Sequence, residues 1–329
     1  MPTVTIPRQR MPGGRTVPPW LAVTLVVLGG AGAAAQAAVN ARLGDAMASP
    51  LSAAVISNTV GGVVFIVAWT VSARVRRGLV RAWRNRLPWW MYTGGVFGAV
   101  FVFAGAYAVP LLGVAVFTIA QVCGNTMGGL AGDAAGLGPG GRLRASLPRV
   151  TAVGLAVVAV VLAQTGRVVD LATWWLVPVV MLIGASLALQ GAFNGRVNEV
   201  TGNPLSTGLV NFAFGTGVLY VFFGVVAMIG VVSDVALPSQ PWLYLGGVFG
   251  ACLVVVSMIA VRVIGVLRLA IGVLTGQLAG AVALDVFAGT EVSGWVLSAV
   301  MLTAVAGILA GLSRSSATPH NIGRRSLER

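Results

Sequence analysis

The chain contains no lysine, one histidine, two cysteines and eight acidic residues in 329 positions. Each scarcity removes a class of function. Cys123 and Cys252 lie inside apolar runs and His320 stands in the C-terminal tail. No Cys, His and carboxylate group therefore has metal-ligand spacing, and no structural disulfide is implied. Without a nucleophile–base pair, metal cluster or cofactor motif, an enzyme is the least expected outcome. The stretch Gly136-Leu137-Gly138-Pro139-Gly140-Gly141 follows no strand and lacks a Lys-Ser/Thr, so it is no phosphate cradle. ATP-driven pumping within this chain is excluded on that ground. Charged residues make up 9% of the chain, against about 25% in a soluble domain. Hydrophobic residues reach 57% and the mean hydropathy is +0.92. The fold class that follows is all-α integral membrane.

The net charge of +13 rests on 21 arginines gathered at the ends of apolar runs and in the tails. They form no face that would hold nucleic acid; they read as determinants of topology. A hydrocarbon core of ~30 Å needs about 20 apolar helical residues. Ten segments qualify: 20–42, 51–73, 89–109, 111–132, 148–166, 173–195, 205–231, 241–260, 264–286 and 292–312. The third and fourth are divided by a tight hairpin around Pro110, which would disrupt a helix interior. The eighth and ninth are divided around Arg262, which would be costly in mid-span. With the N-terminus in the cytoplasm, nineteen arginines fall inside and only Arg42 and Arg167 outside. The positive-inside rule thus predicts a multi-pass protein with both termini cytoplasmic.

The chain states its central motif twice. Gln36, Asn40 and Arg42, followed by Ser49-Pro50-Leu51-Ser52, return 154 residues later as Gln190, Asn194 and Arg196, followed by Asn203-Pro204-Leu205-Ser206. Gly94-Gly95-Val96-Phe97-Gly98-Ala99 returns as Gly246-Gly247-Val248-Phe249-Gly250-Ala251, and Gly124, Gly128 and Asp133 as Gly276, Gly280 and Asp285, at an offset of 152. Five spans per repeat is an odd number, so the halves are predicted to lie antiparallel: ten transmembrane helices as two inverted five-helix repeats. The divisions are a cytoplasmic leader (1–19), a first repeat (20–166), a second, inverted repeat (167–313) and a cytoplasmic tail (314–329). Glycines at four-residue spacing predict close packing of spans three, four, eight and nine.

The polar residues inside the spans are carboxamides. Gln36, Asn40, Asn58, Gln121, Asn125, Gln190, Asn194, Asn211 and Gln277 are the candidate lining of a central cavity, because each must find a partner helix or a wet compartment within the lipid. Gln36 and Asn40 share one helical face, as do Gln190 and Asn194. Arg42 and Arg196 flank these pairs and are candidates for a gate or for attracting an anionic group. Glu199 is the expected surface partner of Arg196. Asp133 and Asp285 read as solvated helix ends, and Trp90, Tyr92, Trp242 and Tyr244 as interface anchors.

These residues resemble the drug/metabolite transporter superfamily, in particular its YdcZ-like branch in a fused two-half form. The resemblance rests on the two Gln…Asn…Arg motifs, Pro50-Leu51-Ser52 and Pro204-Leu205-Ser206, Gly61 and Gly215, and the two Gly-Gly-Val-Phe-Gly-Ala segments. It implies a ten-helix inverted-repeat fold in the plasma membrane of a bacterium and export or exchange of small molecules. The superfamily's small multidrug exporters carry a first-span glutamate that binds protons and cations; here Gln36 offers an amide. A neutral or anionic polar metabolite fits the acid-poor interior better. The expected partners are a small-molecule substrate, membrane lipid and, through spans five and ten, a second copy in a homodimer. The alternative is a non-transporting scaffold or accessory subunit, whose amides would be consumed in helix–helix bonds.

Overall fold

The computed structural model describes residues 18–85, 87–137, 146–165, 173–230 and 237–312. The leader up to residue 17, most of the glycine-rich stretch before residue 146, Arg167 and the tail from residue 313 lie outside that description, as do the side chains of Arg262 and Arg268. Among the described residues the long regular elements are α-helices: α1 (Pro19–Ala46), α2 (Pro50–Val71), α3 (Ala73–Arg84), α4 (Gly94–Leu112), α5 (Val114–Ala135), α6 (Leu147–Gln164), α7 (Leu176–Thr201), α8 (Pro204–Met228), α9 (Gly246–Phe287) and α10 (Gly294–Leu312). Among them seven segments are long and apolar enough to cross a membrane, and three shorter apolar stretches lie at Leu147–Ala163, Gly246–Ser257 and Gly294–Leu309.

The repeated Ser/Asn-Pro-Leu-Ser motif is a helix start. Ser49 Oγ accepts from the Ser52 amide at 3.2 Å, and Asn203 Oδ1 accepts from Leu205 and Ser206 at 2.9 and 3.4 Å. Pro50 and Pro204 occupy the first turn, where a missing N–H costs nothing. The residue before each cap is left-handed: Gly202 at φ 60° and Ala48 at φ 47°. Alanine pays a Cβ penalty there that glycine does not. Ala48→Gly is therefore expected to stabilise the protein by about 0.5–1 kcal/mol, read as a higher midpoint in thermal unfolding of the detergent-solubilised chain.

Two expected boundaries need correction. Pro110 does not end a helix; it sits in the last turn of α4, where only one backbone bond is forfeited. The corner falls at Gly113, whose φ of 81° is the left-handed geometry that glycine adopts freely. In the second half no loop is seen around Arg262, because helical backbone continues from Gly246 to Phe287. Its direction nonetheless reverses. A Cβ on Gly29 would meet Leu253 and Val256, while one on the next residue, Gly30, would meet Val273 and Gln277. Along a straight helix the twenty residues from Leu253 to Val273 would span ~30 Å. Two adjacent residues of α1 cannot touch both unless α9 folds back on itself.

Packing between the halves is reciprocal. α1 lies along both limbs of α9, and α7 lies along α4 and α5 in the same way. The glycines explain how closely. A Cβ on Gly276 would overlap the Val27 carbonyl oxygen, and one on Gly124 would overlap that of Met181, the residue 154 positions on from Val27. Gly280 faces Ala31 as Gly128 faces Ala185. In lipid there is little hydrophobic drive between helices, so backbone contact of this kind supplies cohesion. α2 packs on α8, and α6 on α10; Ala156, Ala159, Ala299 and Ala306 of the latter pair are buried in the main apolar cluster.

Candidate functional site

The repeated amides start from equivalent positions and reach different environments. On α7, Gln190 and Asn194 are one helical turn apart and point the same way. Gln190 Nε2 and Asn194 Nδ2 both donate to Asn211 Oδ1 of α8, each at 3.0 Å. That single oxygen uses both lone pairs, and Asn211 Nδ2, Gln190 Oε1 and Asn194 Oδ1 keep no partner among the described residues. They border a cavity of about 390 Å³ whose wall also includes Leu187, Asn198, Thr207 and Val254. The volume suits a small molecule. Donors and acceptors are both on offer there, and no ionised side chain belongs to the wall.

On α1 the corresponding pair is partly sealed: Asn40 is buried, while Gln36 is half-buried. The Gln36 carboxamide lies on Gly250 and that of Asn40 on Gly246, just as Gln190 lies on Gly98 and Asn194 near Gly94. Asn40 is 1% exposed, and its Oδ1 has no hydrogen-bond partner. Ser57 Oγ, equally buried and 3.3 Å from where a Gly246 Cβ would stand, also lacks one. Two orphaned oxygens side by side mark an incomplete polar site, because a buried polar atom normally has a partner.

Ser57 is the residue that reading the sequence for amides missed. Gly247 rests on the Ser57 carbonyl as Gly95 rests on that of Asn211. The 154-residue offset already pairs Ser57 with Asn211; a hydroxyl standing for a carboxamide hid the match. Asn58, the amide noticed instead, is buried with its Nδ2 close to Gly215.

The remaining candidates lie elsewhere. Gln277 Nε2 donates to Gln121 Oε1 at 3.0 Å, tying α9 to α5. Asn125 is exposed on α5. Arg42 is exposed and has no carboxylate partner among the described residues. Arg196 pairs with Glu199 at 3.7 Å, and neither arginine belongs to the cavity wall. The structure thus brings three of the nine amides to one cavity, buries Asn40 with Ser57 beside a half-buried Gln36, and pairs Gln121 with Gln277.

The two aspartates depart from solvated helix ends. Asp285, 5% exposed, accepts the Val114 and Ala115 amides at 2.8 and 2.7 Å. Asp133 forms an ion pair with Arg149 across the α5–α6 connection. Tyr92 and Tyr244 donate to backbone carbonyls of Ala82 and Pro238 at 3.0 and 2.7 Å, which fixes the short turns leading into α4 and α9.

A family model described as "Putative inner membrane exporter, YdcZ" matches the chain twice, at residues 21–162 and 175–313. Among curated proteins none matches the chain. The two matches follow the internal repeat and together cover well over half of the sequence, so the chain belongs to this YdcZ family of membrane transporters.

Proposed function

We propose that the protein is a secondary transporter that exports a small, polar, uncharged or anionic metabolite by alternating access between two equivalent half-sites. Ten spans in two inverted five-helix repeats (20–166 and 167–313) carry it, with both termini in the cytoplasm, the halves related by a pseudo-two-fold axis in the membrane plane. Gln190, Asn194 and Asn211 form the half-site that faces the cytoplasm. Gln36, Asn40 and Ser57 form the one that faces outward.

The observation that carries this reading is the asymmetry between them. Asn194 and Asn211 are half-buried at a 390 Å³ cavity, whereas their equivalents Asn40 and Ser57 are buried with orphaned oxygens. An inverted-repeat transporter stopped with its inner side open has this appearance. Exchanging the two packings would close the inner set and open the outer one. The cavity also weighs against a purely cohesive scaffold: Gln190, Asn194 and Asn211 bond one another as Gln121 and Gln277 do, yet they also border open space. The outward faces of α6 and α10, with Val158, Val161, Leu297 and Met301 exposed, are where a second copy would pack.

Asn211→Leu removes the shared acceptor and leaves the donors of Gln190 and Asn194 unpaired. Metabolite profiles of cells expressing wild type, Asn211→Leu or no protein test the proposal. The expected result is a polar solute whose efflux falls at least tenfold in the variant, since losing a site's hydrogen bonds costs ~1–3 kcal/mol. An unchanged profile at equal expression would overturn the assignment.

A further inference from the structure

The segment between α2 and α4 is a third kind of element, neither span nor loop. α3 begins one residue after Ser72 caps α2, and the 3₁₀ turn Trp89–Thr93 that leads into α4 begins a few residues after it ends. Both of its ends are therefore held at the level where two spans leave the membrane. Val75, Gly78 and Ala82, spaced three and four residues apart, form its buried face. That face is docked on the α7–α8 turn: Ser206 Oγ donates to the Val75 carbonyl at 2.9 Å, and Gly78 leaves room for Ser206. Pro204 and Thr207, on either side of Ser206, line the cavity.

The rest of its surface carries Arg74, Arg76, Arg77, Arg81 and Arg84, all exposed. No acidic residue occurs between Asp45 and Asp133, and none of the five forms an ion pair among the described residues. Three are engaged by backbone carbonyls: Arg76 by Trp69 and Thr70, Arg81 by Thr201 at the end of α7, and Arg77 by Ala73 of its own helix. Arg74 and Arg84 have no partner among the described residues. Among these cations stand Val80, 48% exposed, and Trp83, 92% exposed. Trp69 and Trp89, exposed at the adjoining span ends, mark the same level.

We infer that α3 is an anionic-phospholipid-binding helix, lying in the headgroup layer with Trp83 and Val80 in the acyl boundary and its arginines on lipid phosphates. Charge selects the occupant: a fivefold positive, acid-free surface beside exposed apolar side chains matches the boundary of an anionic bilayer and little else. Arginine adds a planar fork that bonds phosphate oxygens in pairs. The inference does not depend on whether the cavity transports anything.

The test uses the full-length protein in lipid nanodiscs with phosphatidylcholine and phosphatidylglycerol in equal amounts, one or the other brominated in its acyl chains. The Trp83 contribution is the fluorescence difference between wild type and Trp83→Phe. A guanidinium near an anionic surface contributes about a fivefold change in association. Brominated phosphatidylglycerol is accordingly expected to quench Trp83 at least threefold more than brominated phosphatidylcholine at low salt. The excess is expected to vanish in the Arg74→Gln/Arg77→Gln/Arg84→Gln variant and to shrink at high ionic strength. Equal quenching by the two lipids in the wild type would overturn the inference, and so would quenching by neither. Both of those outcomes need only wild type and Trp83→Phe, so an arginine variant that fails to fold leaves the test intact.

Discussion

Gly247→Ala is expected to leave little or no folded protein. A Cβ at that position would overlap the Ser57 carbonyl oxygen and stand 2.6 Å from the Gly61 amide nitrogen. Both obstacles are backbone, so no rotamer change relieves them; α9 and α2 would have to part along their whole contact. Over-packing a well-filled site costs typically 1–3 kcal/mol, and a clash with main chain on two sides belongs at or above the top of that range. Gly95→Ala, against the Asn211 carbonyl in the other half, should behave alike. Gly154→Ala on α6 is the control: nothing lies within 4 Å of the added methyl, so a neutral or slightly raised stability is expected from helix propensity. Monodisperse yield and thermal unfolding of the three variants check this. A Gly247→Ala protein with wild-type yield and melting would show that the two helices do not pack as described.

Asp285→Ala should cost about 3–5 kcal/mol, from hydrogen bonds to a charged group worth roughly 1.5–3 kcal/mol apiece and the loss of a carboxylate at a helix N-terminus. The reason begins with Gly113. The corner between α4 and α5 needs a left-handed residue, and the glycine that supplies it has no side chain with which to cap α5. The first amides of α5 would be orphaned in a buried place. Asp285 answers from 170 residues away, each carboxylate oxygen taking one of them. Alanine leaves both N–H groups buried and unpaired. Asparagine keeps one acceptor, so Asp285→Asn should fall between alanine and wild type. Melting curves of the three proteins in one detergent give the order; an alanine variant as stable as wild type would mean that the α5 amides find another acceptor.

The repeat, the amide pairs and the positions of most helices are legible in the sequence, because long apolar runs and duplicated residues announce themselves. What escaped depended on three-dimensional partners. Pro110 was visible as a breaker, but the penalty for proline fades in the last turn, and the real corner needed the left-handed Gly113. The division of α9 around Arg262 was expected as a loop, whereas the chain turns without leaving helical backbone. Asp285 looks like any residue at a helix end until the remote amides it caps are in view. Ser57 is hidden from a reading by residue type, because a hydroxyl stands where the other half has the Asn211 carboxamide. The arginines of residues 74–84 were read as a topological signal, although Val75, Gly78 and Ala82 already had the spacing of a helix with one packed face.

The reciprocal packing of α1 and α9 sets a timetable for biosynthesis. α1 leaves the ribosome well before α9, and the glycine surface that packs on Gln36 and Asn40 begins only at Gly246. At a synthesis rate of ~5–20 residues per second, the newborn helix waits roughly 10–40 s with two bare carboxamides in the bilayer. Until α9 arrives those carboxamides lack the glycines they pack on, and a chain stopped within α8 would leave α1 without that surface.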